Sequence, residues 1–196
     1  MFIEGVNNPG NKAKVDNKGR LETHSVSIAV QTDTALEGDT YNLNTGTFQL
    51  TDATETAIFY LKNDSEEKDI VIPRIFVSLG ASTGGSGPIE GKITRGPIAG
   101  GIVTSGVDNP PLNFNFGSSK SLAVTSKTGS TALGVCTGDP SPIMFYFPND
   151  AQRYTIAFEA IILPRGAELC LSITPSTSNT SMDIQAGANM HLAGEA

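Results

Sequence analysis

The chain has no tryptophan, and only four tyrosines, two cysteines and two histidines among 196 residues. Carbohydrate sites are commonly built on stacked aromatic rings, so the lack of tryptophan counts against a lectin without eliminating one. Two cysteines, Cys136 and Cys170, are too few to define a disulfide framework. They could pair, but Cys170 lies in the alternating run Glu168–Thr174 and reads as a small strand residue. His24 and His191 stand at opposite ends of the sequence. Neither has a carboxylate or cysteine at metal-ligand spacing, so no metal site and no cofactor are expected.

Charge is also scarce. Charged residues make up 17% of the chain, and Gly, Ser, Thr and Asn fill the deficit, which is the profile of a loop-rich β protein; low charge also suggests a surface partly covered by a partner, although many β-sandwiches look like this alone. The net charge of −7 repels a polyanion such as DNA, so no nucleic-acid partner is expected. No apolar stretch approaches the roughly 20 residues that span a bilayer, so no membrane partner is expected. The start, Met1–Gly5, has no basic region and no long apolar run, which predicts synthesis in a cytoplasm without a signal peptide.

What the chain does have is a rhythm of short strands separated by polar or Gly-rich turns. The densest part runs from Thr40 to Leu79, where Ala57–Leu61 and Ile70–Leu79 flank the turn Asn63–Lys68. Further strands are expected at Ile89–Thr94, Ile98–Thr104, Leu112–Phe116, Ser121–Thr125, Ile143–Phe147, Thr155–Leu163, Glu168–Thr174 and Met182–Leu192. Pro73 sits inside a long strand and cannot donate a ladder hydrogen bond, so it marks an edge or a bulge. Thr155–Leu163 and Glu168–Thr174 read as a hairpin across Pro164-Arg165-Gly166. Ile143–Phe147 is wholly apolar and reads mainly as core, with an intersubunit surface as the other reading. About ten strands with regular turns and no convincing amphipathic helix predict an all-β fold, an antiparallel β-sandwich of jelly-roll type. Residues 1–36 read as an extended N-terminal arm and linker, with one helical turn near Asp33–Glu37, and residues 37–196 as the sandwich domain.

Candidate chemistry is thin. Gly80-Ala81-Ser82-Thr83-Gly84 formally fits the nucleophile-elbow pattern, but it joins a strand to a Gly-rich loop with no helix behind it. Gly80–Gly87 lacks the lysine that a phosphate-binding loop requires. Glu55, Asp52 and Glu159 are isolated, and Asp108-Asn109 and Asn149-Asp150 are ordinary acidic turns. Nothing here makes an enzyme. The one concentration of positive charge is Lys12, Lys14, Lys18 and Arg20, either a solvated arm or an arm that docks on an acidic protein surface.

Three stretches carry a family resemblance: Val15-Asp16-Asn17-Lys18-Gly19-Arg20-Leu21, Gly38-Asp39-Thr40-Tyr41-Asn42-Leu43, and a strand ending Tyr60-Leu61-Lys62-Asn63. Over roughly its first third the chain resembles structural proteins of tailed bacteriophages, in particular jelly-roll decoration (cement) proteins on the outside of the icosahedral head. The resemblance implies a virion component on the capsid exterior that binds the major capsid protein, ties capsomers together and forms a homotrimer. It carries over no catalytic residue. It also implies an arm whose apolar anchors are Phe2, Ile3 and Val6 and whose charge partners are Lys12, Lys14, Lys18 and Arg20. A tail- or fibre-associated receptor-binding β module is the alternative, although no stalk is visible and tryptophan is absent.

Overall fold

The computed structural model of the chain describes residues 2–4, 12–15, 21–22, 34–50, 54–83, 87–129, 136–138, 141–148, 150, 152–175 and 181–193. Eight strands form the body: β4 (Thr40–Leu50), β5 (Thr56–Asn63), β6 (Ile70–Thr83), β7 (Ile89–Arg95), β11 (Ile143–Phe147), β12 (Arg153–Leu163), β13 (Glu168–Thr174) and β14 (Ser181–Leu192). One sheet runs β11-β7-β13-β5 and the other β12-β6-β14-β4, every pairing antiparallel. Consecutive body strands alternate between the sheets, except that β7 and β11 are neighbours. That order, four strands per sheet with the last strand beside the first, is a jelly roll. The expected β-sandwich is therefore observed.

Period-2 patterning explains the core. On β14, Met182, Ile184, Ala186, Ala188 and Met190 are buried, and the residues between them face outward. They meet Phe59, Leu61, Leu169, Leu171 and Ile173 of the other sheet in one apolar cluster. Burial of this kind supplies most of the folding drive, at roughly 25 cal/mol per Å² of apolar surface. Pro73 lies in a central strand, not at an edge. The register slips on both flanks of it, between Ala157 and Ile161 on β12 and between Asn189 and His191 on β14, so the bulge reading is the one realised.

The 47 residues from Gly96 to Pro142 separate β7 from β11. They contain a short helix, α1 (Gly101–Ser105), and three short strands, β8 (Val107–Asp108), β9 (Leu112–Asn113) and β10 (Val124–Thr128). β10 joins the free edge of β5, and β9 the free edge of β4. The strand expected at Ile98–Thr104 is thus a helical turn: Gly100 and Gly101 break the extended run, and Ile98 and Ile102 drop onto the outer face of the first sheet. A bulge at Ile58 turns both Ala57 and Tyr60 toward that face. This is why β5 is buried on both sides.

Cys170 is a residue of β13 as expected, and of the two readings left open for the cysteines the pairing is realised: Cys136 and Cys170 form a disulfide. The bond ties the excursion to β13 at the centre of the covered face. Sequence spacing could not show it, because the partners come together only once the excursion folds back over the sheet. The expected hairpin between β12 and β13 is also corrected. β12 pairs with β6 and β13 with β5 and β7, so Pro164-Arg165-Gly166 is a crossing between sheets.

Asn63 shows how a resemblance-bearing residue serves the fold. Its Nδ2 donates to the carbonyls of Lys68 and Leu163 at 3.0 Å each, and its Oδ1 accepts from the Ser65 N–H. Tyr41 and Leu43 are buried, and Asp39 pairs with Lys120 at 2.9 Å. At the N-terminal end, β1 (Phe2–Glu4), β2 (Lys12–Val15) and β3 (Leu21–Glu22) form a separate three-stranded antiparallel sheet. Their pairing is β1 with β2 and β2 with β3. The helical turn expected near Asp33–Glu37 is present at residues 34–36.

Candidate intersubunit surface

β11 and β12 are terminal strands of their sheets, and the rings of Phe147 and Tyr154 lie 5.0 Å apart between them. Each therefore presents one backbone edge with no strand partner among the described residues, a ready template for another chain. β11 is also apolar outside. Phe147 is buried and Phe145 half-buried, but Ile143, Met144 and Tyr146 are 43%, 42% and 63% exposed. Ile162 on β12 is 58% exposed. The reading of Ile143–Phe147 as core is corrected: only the inward residues are core, and the outward ones form an apolar edge.

The sequence contains one signal that points this way. Pro142 and Pro148 bracket the strand, and proline is tolerated beside an edge strand far better than beside a central one. The wholly apolar sequence hid it, because without alternation neither face is marked as the wet one. At the end of β12 lies an apolar groove, a cavity of ≈ 360 Å³ lined by Pro97, Ile161, Ile162, Pro164 and Leu169 with Arg95 and Glu168 at its polar side. Glu168 fixes the start of the excursion there, its Oε2 accepting from the Ile98 N–H at 2.8 Å. Burial first, then the Glu168 carboxylate, push the Tyr60 phenol up to about 12.

A second exposed apolar group sits on the excursion. Leu112–Phe116 has the expected period of two, but only Leu112–Asn113 pairs as a strand. The polar residues are the inward ones. Asn113 donates to the carbonyl of Gly38 at 2.7 Å, and Asn115 to that of Leu36 at 3.1 Å. The phenylalanines are displayed, with Phe116 97% exposed. Asparagines that satisfy backbone carbonyls hold the loop, and its rings are left over for contact.

The arm residues are placed as follows. Phe2 stands opposite Lys14, Ile3 opposite Ala13 and Lys12 opposite Glu4 in the small sheet. Val6, Lys18 and Arg20 lie outside the described residues, as does His24. His191 is on β14, and burial lowers its pKa. Glu55 forms an ion pair with Lys92 and accepts from the Ser172 hydroxyl, and Asp108 pairs with Lys127 at 3.0 Å. Among the described residues, no three His, Cys, Asp or Glu side chains gather to hold a metal ion, and no helix is long and apolar enough to cross a membrane.

No protein-family model matches the chain, and no curated protein matches it by sequence. Among solved structures it is similar to the Israel acute paralysis virus pentamer, at 11% identity and a TM-score of 0.27 over 83% of this chain and 93% of that one. It is also similar to desmodium yellow mottle tymovirus, at 10% identity and a TM-score of 0.16 over 99% of each chain. A CocE/NonD family hydrolase from Staphylococcus aureus follows at 8% identity and a TM-score of 0.19, over 78% of this chain and 32% of that one. Likenesses this weak carry no argument, and the jelly-roll assignment rests on the strand order alone.

Proposed function

We propose that the chain is a viral structural protein, a jelly-roll subunit that decorates the outside of an icosahedral head and stabilises contacts between capsomers. The observation that carries this reading is the apolar edge of β11, without a strand partner among the described residues, on a jelly-roll body. A body that covers one sheet with Ile98, Ile102 and Cys136 yet leaves Met144 and Tyr146 exposed is built to be covered by a neighbour. On this reading the chain is no enzyme and needs no cofactor. Its partners are the major capsid protein and two further copies of itself, and its place is the capsid exterior after synthesis in the host cytoplasm.

Many modest contacts suffice on a lattice, because each attachment raises the effective concentration of the next. The arm supplies one such contact, with Phe2, Ile3 and Val6 as anchors and Lys12, Lys14, Lys18 and Arg20 as charge partners. Removing residues 1–18 is expected to leave the sandwich melting unchanged and to abolish attachment to undecorated heads in a co-sedimentation assay. Attachment with unchanged affinity would remove the arm from the account. A tail- or fibre-associated receptor-binding module remains the second reading, favoured by the polar outer face of the β12-β6-β14-β4 sheet.

A further inference from the structure

Among the described residues, the excursion covers the outer face of the first sheet and reaches over that of the other with Phe114. Strand register arranges this second face in three rungs. One rung is Asn42, Asn189 and Arg74, and the third is Gln185, Ser78 and Arg153. Between them, Gly187 stands beside Phe76. A Cβ at Gly187 would collide with the Leu43 carbonyl oxygen and the Phe76 ring, so the missing side chain is what lets the ring lie flat across the strand. The Arg153 guanidinium sits 4.5 Å over that ring, which holds it in place.

The result is a groove with a low floor and polar sides. Two adjoining cavities of ≈ 380 Å³ and ≈ 220 Å³ share Phe114 and Asn189 among their lining residues. The amides are already oriented. Asn42 Nδ2 donates to Asn189 Oδ1, and Gln185 Nε2 to Asn44 Oδ1, each at 2.9 Å. These bonds leave Asn42 Oδ1 and Gln185 Oε1 as acceptors and Asn189 Nδ2 as a donor, without a partner among the described residues. Paired amide donors and acceptors suit vicinal hydroxyls. The half-exposed Phe114 ring offers an apolar face beside them.

Charge selects the ligand further. The chain carries −7 overall, yet Arg74 and Arg153 line this groove and no described carboxylate does. Asp183, on the same face, lies one step beyond Gln185 and meets Gln49 at 3.5 Å. The two arginine rungs are four residues apart on β6, about 13 Å along the strand. We infer that this groove binds an acidic oligosaccharide, with sugar hydroxyls on the amides and a carboxylate on the arginine side chains, whose planar fork matches it. Nucleic acid fits worse: it carries a charge at every nucleotide against an acidic protein, and the Phe76 ring is closed to base stacking by Arg153. The inference is independent of whether the protein sits on a head or a tail.

The test is binding of the full chain to an array of immobilised glycans that spans uronic-acid, sialylated and capsular oligosaccharides, neutral ones, and single-stranded DNA spots. The expected result is binding confined to carboxylated glycans. It should fall at least tenfold in the Arg74→Gln/Arg153→Gln double variant and in Asn189→Ala, with circular dichroism melts matching the parent. No binding to any carboxylated glycan, signal only on the DNA spots, or binding that folded variants retain would overturn the inference.

Discussion

Replacing Met144 and Tyr146 together by lysine is expected to abolish attachment to undecorated heads while the protein stays folded. Both side chains point away from the core, with 42% and 63% of their surface exposed, so the folded monomer loses little when they change. Docking is different. Tyrosine anchors at the centre of an interface commonly contribute about 2–4 kcal/mol each on truncation. A lysine left unpaired in such an interface adds a desolvation penalty, and lysine on an edge strand is how natural sheets repel strand addition. The expected loss of affinity is at least about a hundredfold. Unchanged attachment would show that β11 is not the contact strand.

Loss of the disulfide has the largest expected effect on stability. The bond joins residues 34 apart, and releasing a loop of that length from the denatured state costs about 3–4 kcal/mol on the chain-entropy account. At this size that corresponds to a melting point lower by about 7–15 °C. The excursion is the element at risk, because Cys136 is one of the few residues pinning it over Ala57, Tyr60 and Cys170. Cys136→Ala/Cys170→Ala should show the drop, and adding a reductant to the parent protein should reproduce it. A parent protein that melts identically with and without reductant would contradict the pairing.

The sandwich was legible because its strands carry their own punctuation. Glu168–Thr174 and Met182–Leu192 alternate between polar and apolar residues, and Pro, Gly and Asn mark their ends. The excursion was harder. Its elements are short, and their conformations are set by what they land on: Ile102 helps cover Tyr60, and Asn113 reaches Gly38 from 75 residues away. Period two in Leu112–Phe116 told the periodicity but not the sense, since half-buried asparagines that satisfy backbone carbonyls reverse the usual rule.

The two candidate surfaces differ in the same way. The apolar edge was half visible, as a wholly apolar strand between prolines. The polar groove was invisible, because Asn42, Arg74, Arg153 and Asn189 are brought together only by register across four strands that span most of the body. No local spacing records that proximity.

The central proposal, that the chain is a shell component, is tested most directly by its copy number in virus particles purified from the source of the sequence. Quantitative mass spectrometry scaled to the major capsid protein would give that number. A decoration protein predicts hundreds of copies per particle, comparable with the capsid protein itself. A few copies to a few tens would move the protein to the tail or fibre, and absence from particles would contradict the virion reading altogether.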